Sequence, residues 1–375
     1  MKRRIFAILL VATFLAMAII TGCEQNSTST DAPDASLLTD KATDPAGDES
    51  VSSAESTSAP ETTIPAETTA EPPSRLIAEE FISANIADNN MMGDSGIRQL
   101  FVYLPPNYFE SEESYPVVYY FHGFGESAGA FLREAKGFLD NYFNAGEKPF
   151  IMVEVPGGGS TVGSFYVNSP ASGNWEDFVI DDVIPYVDSN YRTLPQAESR
   201  GICGFSMGGF GAMNLALRHP DIFAAVYAMS PGIMKDDALA EAMDTWNGDN
   251  SFLRAYARAF APNLENENYF GDIPAMDGTD ADNLIVAKWY SGFGNWSQKL
   301  DAYLALETPL RAIGISYGSY DSYTWIPTGC DYFVDLLREN GIEPTFYTSD
   351  GGHRLPDNAI QEHLGPFFNE NLMWE

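Results

Sequence analysis

Five glycines crowd one serine in GICGFSMGGFGAMN, residues 201–214, between an apolar run and a run of helical spacing. Glycine loses more chain entropy on folding than any other residue, so this segment must need the missing side chains. Gly204-Phe205-Ser206-Met207-Gly208 fits G-x-S-x-G, and a strand before it and a helix after it are the context that gives the pattern meaning. In that setting the serine sits strained on a sharp turn. The residues two before and two after it approach closely, and a Cβ on either would clash, which Gly204 and Gly208 avoid. Gly209 and Gly211 are expected to let the following helix pack tightly on the sheet. The turn presents a hydroxyl and the Met207 N–H to the same point.

The flanking pattern suits such a turn. YPVVYYFHG (Tyr115–Gly123) is a continuous apolar run ending in a turn, as for a strand covered on both faces. PFIMVEVPGGG, SRGICGFS, FAAVYAMSPG and PLRAIGISYG repeat it. Segments of helical period lie between them. In NWEDFVIDDVIPYVDSNYR one stripe holds Trp175, Phe178, Val179, Val183, Tyr186 and Val187, and Pro185 is expected to kink or interrupt the helix. This alternation predicts an α/β fold, a mostly parallel sheet with helices on both faces. After the sixth strand, over about 233–306, it gives way to aromatic-rich helical and loop-like chain. That stretch is too long for an ordinary connection and is expected to form a cap.

The N-terminal part reads differently. Lys2, Arg3 and Arg4 precede an apolar run too short for a membrane span, and Ile20-Thr21-Gly22-Cys23 follows. Residues 1–23 are therefore expected to be an export signal with a lipobox, Cys23 carrying lipid that holds the protein on the outer face of the cell membrane. Residues 24–75, rich in Ser, Thr, Pro and acids, cannot bury enough apolar surface to fold and are expected to be a disordered tether. Residues 76–375 suit one α/β domain, expected to be monomeric. The formal net charge of −33 extends to this domain, which disfavours nucleic acid and anionic lipid as partners and favours a neutral one. Cys203 and Cys330 are expected to be buried thiols rather than a bridge. No metal-ligand spacing occurs, and Pro156-Gly157-Gly158-Gly159-Ser160 lacks the Gly-Lys-Ser/Thr ending of a phosphate loop, so no metal or cofactor is expected and this loop is placed at the pocket's border.

A serine hydroxyl needs a base, and the base needs an orienting group. In this arrangement the order is Ser, then Asp or Glu, then His, each after a later strand. Three histidines follow Ser206. His219 ends the helix that starts at the serine, too far to reach back. His363 falls in a final amphipathic helix, as a surface or packing residue. His353, on the two-glycine loop of YTSDGGHRLP, is the candidate base. Asp321, the first carboxylate after the preceding strand, is the candidate acid; Asp331 and Asp335 lie on the next helix, and Asp350 shares a loop with His353. Besides Met207, a second oxyanion donor is expected from HGFGES, at Phe124 or alternatively Gly125. His122 is expected to hold that loop in shape. Tyr166, Asn168 and Trp325 are the candidate substrate-binding residues.

Taken together, YYFHGFGES, the Trp175 helix, GFSMGGFGAMNLALRHPDIFAAVYAMSP, YGSYDSYTWIPTGCDYFVDLLRENGI and GGHRLP resemble the esterase D-like branch of the α/β-hydrolases. The branch includes feruloyl and acetyl xylan esterases, S-formylglutathione hydrolases and antigen 85 mycolyltransferases. The likeness spans roughly Arg98 to Phe368, the cap excepted. It implies an α/β-hydrolase fold, a nucleophile at Ser206, an acid at Asp321, a base at His353 and oxyanion donors at Phe124 and Met207. One departure is Arg354-Leu355-Pro356, where feruloyl esterases often carry an aromatic residue, so the acyl group stays open. The expected function is a serine carboxylesterase acting on feruloyl or acetyl esters of extracellular carbohydrate, a neutral polysaccharide or oligosaccharide. The alternatives are an acyltransferase of the antigen 85 type and a silent carbohydrate-binding protein on the same scaffold.

Overall fold

The computed structural model describes residues 75–159, 162–246 and 250–375; residues 1–74, with the export segment, Cys23 and all of the expected tether but Arg75, lie outside the described residues, and Arg75 itself pairs with Asp140 at 2.6 Å. Eight strands form the main sheet: β1 (Leu76–Ile82), β2 (Ile97–Tyr103), β3 (Val117–Phe121), β4 (Ile151–Val155), β5 (Arg200–Phe205), β6 (Ala225–Met229), β7 (Ala312–Gly318) and β8 (Thr345–Ser349). Their spatial order is β1-β2-β4-β3-β5-β6-β7-β8. β2 runs antiparallel to both β1 and β4, and every other pair is parallel. The sheet is thus mostly parallel, and the five apolar runs are its central strands β3 to β7. β1 does not stand out in the sequence, because an antiparallel edge strand needs apolar residues on one face only, and β2 carries the polar Arg98 and Gln99 near its start, before its buried Leu100–Tyr103. β1 alternates half-buried and exposed positions accordingly.

Strand alternation divides the core into two layers. Val117, Tyr119 and Phe121 point to one face with Ile202, Val226 and Ala228, where α2 (Ile184–Asn190), α3 (Met207–Arg218) and α8 (Trp325–Glu339) pack. Val118 and Tyr120 point to the other with Cys203 and Tyr227, under α1 (Ala130–Asn144) and α9 (Gly365–Asn371). Both Cys203 and Cys330 are buried free thiols. Between β6 and β7 the chain forms α4 (Leu239–Thr245), α5 (Asn250–Phe260), α6 (Asp280–Gly292) and α7 (Trp296–Leu304). Upstream of Pro185 the Trp175 helix widens into one π-type stretch, Phe178–Val183. The wider turn accommodates a residue that lacks an N–H and would crowd the preceding carbonyl.

One core side chain breaks the apolar pattern. Glu154 on β4 is fully buried beneath the start of α1, where its carboxylate accepts from the Leu132 N–H at 2.9 Å and the Phe131 N–H at 3.4 Å. Burial pushes its pKa up to about 7, with the charge of Glu126 adding, against the pull of those amides. A folded-state pKa above the unfolded one means stability that is complete below the unfolded value and lost as pH rises through 7. The Glu154→Gln variant is therefore expected to gain up to about 3 kcal/mol over the parent at pH 8.5 and nothing at pH 4.5. Urea unfolding at the two pH values measures this; an equal effect at both would remove the titration as its cause.

Candidate active site

β5 ends at Phe205 and α3 begins at Met207, so Ser206 alone makes the turn, at φ 55° and ψ −115°. A positive φ on a residue with a Cβ is costly and persists only where neighbours over-determine it. They do so here. The Ser206 N–H donates to the Met229 carbonyl at 2.9 Å, and its own carbonyl accepts from Phe210 at 3.0 Å and Gly232 at 3.1 Å. A Cβ on Gly204 would collide with the Gly208 carbonyl, and one on Gly208 with the Phe121 carbonyl. Gly209 lies against Pro231 and the Met229 carbonyl at the sheet. Gly211 differs from expectation, since it makes room for the Tyr166 ring rather than for the sheet.

Loops after β7 and β8 bring the other two groups to this edge. His353 Nε2 lies 2.8 Å from Ser206 Oγ, and His353 Nδ1 lies 2.7 Å from Asp321 Oδ2. The Asp321 side chain is fully buried, and its second oxygen accepts the Tyr323 N–H at 2.8 Å. The imidazole is flanked by Phe205, 5.0 Å between ring centres, and by the edge of Tyr323 at 4.8 Å. These contacts hold the ring in the plane that joins hydroxyl to carboxylate. Asp350, Asp331 and Asp335 are exposed. His219 instead meets Glu176 at 2.7 Å, and His363 packs against Tyr227 and Tyr347. With Asp321→Asn the amide no longer holds Nδ1 protonated, and kcat is expected to fall about 10⁴-fold with KM little changed. A fall below tenfold would mean that Asp321 does not set the tautomer.

Gly125 N–H already donates to the Val162 carbonyl at 2.9 Å, which leaves Phe124 as the candidate second oxyanion donor, lining the pocket at Ser206 with Met207. Below them His122 is a brace. Its Nδ1 meets the Gly123 carbonyl at 2.8 Å, while its Nε2 accepts the Gly157 N–H at 2.8 Å. Burial lowers its pKa, in keeping with a neutral ring whose nitrogens are both engaged. Glu126 accepts the Gly123 N–H at 2.9 Å and tightens the same loop. The glycine loop at Pro156 thus acts on the pocket through His122 rather than bordering it.

Two expected substrate contacts lie elsewhere. Tyr166 is fully buried, stacked on Phe121 at 3.9 Å, and its hydroxyl accepts the His122 N–H at 3.0 Å and donates to the Val155 carbonyl at 3.2 Å. It is a scaffold under the oxyanion loop, out of reach of any substrate. Asn168 receives the N–H groups of Glu176 and Asp177 and donates to Asp177, so its amide starts the Trp175 helix. It borders a different cavity. Trp325 does reach the pocket, with Phe124, Phe165, Met207 and Tyr323, and with Trp246, Phe252 and Tyr256 from the cap. Its indole N–H donates to Thr245 on α4 at 3.0 Å, tying cap to core. Only about 20 Å³ stands open beside Ser206, close to the space of one water. Tyr323 and Glu126 were not legible as site residues, since their roles come from a backbone amide, a ring edge and a loop contact that leave no sequence pattern.

Residues 95–306 match the model of the Esterase family, described as "Putative esterase". Esterase Rv1288 of Mycobacterium tuberculosis is 37% identical over 141 residues, 36% of this chain and 30% of that protein. The endo-1,4-beta-xylanase/feruloyl esterase of Xylanibacter ruminicola is 32% identical over 138 residues, 35% of this chain and 19% of that protein. The chain thus spans under a third of the length of these relatives. A solved ferulic acid esterase shares 20% identity with a TM-score of 0.53, covering 80% of this chain and 98% of that one, a likeness of fold.

Proposed function

The chain belongs to the Esterase family, and from that premise we propose that it hydrolyses carboxylic esters of extracellular carbohydrate through an acyl-enzyme on Ser206. The observation that carries this reading is the unbroken chain of hydrogen bonds from Ser206 through His353 to Asp321. Ser206 Oγ attacks the ester carbonyl carbon while its proton passes to His353 Nε2. The carbonyl oxygen, now negative, sits between the Phe124 and Met207 amides, each such donor being worth about 10²–10³ in rate. The imidazolium is stabilised by Asp321 and returns its proton to the departing sugar oxygen. Water then repeats the sequence on the acyl-enzyme, releasing the acid and restoring Ser206.

A short acyl group such as acetyl is the first reading, because the space beside Ser206 is narrow and Phe252, which stacks on Phe124 at 4.1 Å, would have to move to admit a bulky one. A feruloyl group is the second reading, supported by the aromatic walls and by the feruloyl esterase named among the relatives. Export and anchoring through lipid on Cys23 belong to the same proposal and rest on the basic start, the apolar run and Ile20–Cys23 of the sequence. Acetylated xylan, methyl ferulate and short nitrophenyl esters, each with and without an acceptor sugar, separate the possibilities. Acetate release that exceeds ferulate release is expected, with no transfer to the sugar. Inactivity on all three esters would end the hydrolase reading.

A further inference from the structure

A second cavity lies beside the C-terminal half of α3, with none of its lining residues shared with the pocket at Ser206. It measures about 740 Å³, and an adjoining one of about 420 Å³ shares Asn214, Arg218, Ser291 and Lys299 with it. Its size falls within the range of sites for small organic ligands, roughly 300–1,000 Å³. Asn214 follows Ser206 by eight residues, so it lies about 12 Å along the helix axis, and Arg218 is one turn further.

Three features mark this groove. Asn214 is 7% exposed amid an otherwise apolar stretch of α3, and among the described residues its side-chain amide has no hydrogen-bond partner while it faces both cavities. The amide opens into the groove rather than being sealed in the core, so its N–H donors and its oxygen stand available to a ligand there. Second, Arg218, Lys288 and Lys299 converge on the groove in a chain of net charge −33. The one acid lining it, Glu176, is already taken by Arg218 Nε at 3.0 Å and His219 at 2.7 Å. Lys299 gives two donors to the Ser291 and Gly292 carbonyls at 3.2 and 2.8 Å. Burial, then the neighbouring charge of Arg218, lowers its pKa to about 8 despite Asp236. The cluster is short of negative charge. Third, Phe260, Ala259, Leu284 and Ala287 give the same groove an apolar lining.

We propose that this groove binds a carboxylate-bearing sugar, its carboxylate between Arg218 and Lys299, a hydroxyl on the Asn214 amide and its C–H face on the apolar wall. A bare inorganic anion would use the cations and leave the wall and the amide idle. The inference rests on the esterase reading for its purpose, which is to hold an acidic side unit of the esterified polysaccharide on a surface that otherwise repels it. The binding itself does not depend on turnover.

Calorimetric titration of the full chain with glucuronate, glucose and inorganic phosphate, at low salt, tests it. Glucuronate is expected to bind at least about tenfold more tightly than either of the others, since a charged hydrogen-bonding partner and a buried wall each contribute. Arg218→Gln, at a side chain 59% exposed, is expected to weaken glucuronate about tenfold and leave the thermal midpoint within about 2 °C. Asn214→Leu, of similar size, is expected to weaken glucuronate and glucose alike. Equal binding of glucuronate and glucose, or no effect of Arg218→Gln, overturns the proposal. Phosphate binding as tight as glucuronate also overturns it, leaving an anion pocket without a sugar. Ser206→Ala separates the two readings: it must keep glucuronate binding even if no ester is ever found to be cleaved.

Discussion

His353→Ala is expected to lower kcat on a short nitrophenyl ester by about 10⁶-fold, and Ser206→Ala by as much, with the double variant no worse than either. The non-additivity is the sharper part of the expectation. Nucleophile and base act as one unit joined by the 2.8 Å contact, so removing either leaves only the oxyanion donors and substrate binding. Ser206→Ala is further expected to abolish labelling by a fluorophosphonate, whereas His353→Ala slows it. Steady-state rates and labelling of the purified chain, with circular dichroism to show that each variant folds, measure all of this. Residual activity within a hundredfold of the parent in either single variant would show that another base serves Ser206.

Gly208→Ala is expected to be among the most damaging single methyls in the domain. The added carbon would meet the Phe121 carbonyl and crowd that of His122, and neither is a flexible side chain that can swing away. Either α3 must lift from β3 or the elbow must open. Overpacking against backbone is expected to cost about 3 kcal/mol or more, and a drop of about 6 °C or more in the thermal midpoint would report it. Because β3 leads directly into the loop that carries Phe124, the surviving folded fraction is also expected to lose oxyanion stabilisation. An alanine at Gly137, where nothing lies within 4 Å of the added carbon, is the matched control and is expected to be neutral or slightly stabilising. Equal midpoints for the two variants would mean that the elbow relaxes cheaply, against the close approach described above.

Much of the site could be read before any coordinates. G-x-S-x-G in a strand-to-helix context located Ser206, and the loop positions of Asp321 and His353 followed from which strands precede them. Local chain geometry was enough, because each group lies at the end of an element whose period is written in apolar residues. The same holds for the central strands and for the cap, which announces itself by interrupting the alternation. The antiparallel edge strand β1 escaped, since a half-covered strand carries a weaker signal, and β2 escaped because polar residues lie near its start.

What the residues alone determined, then, is which groups meet at the catalytic edge. Tertiary packing decided what surrounds them. Tyr166 turned out to be a buried brace and Asn168 a helix-starting amide, because a side chain's neighbours across the fold are not encoded in its own neighbourhood along the chain. Gly125 is taken by the carbonyl of Val162, and Lys299 joined Asn214 and Arg218 only when the cap folded against α3. Short-range order follows from backbone sterics and apolar period, whereas burial, cavity shape and the pairing of charges arise from contacts between segments far apart in sequence.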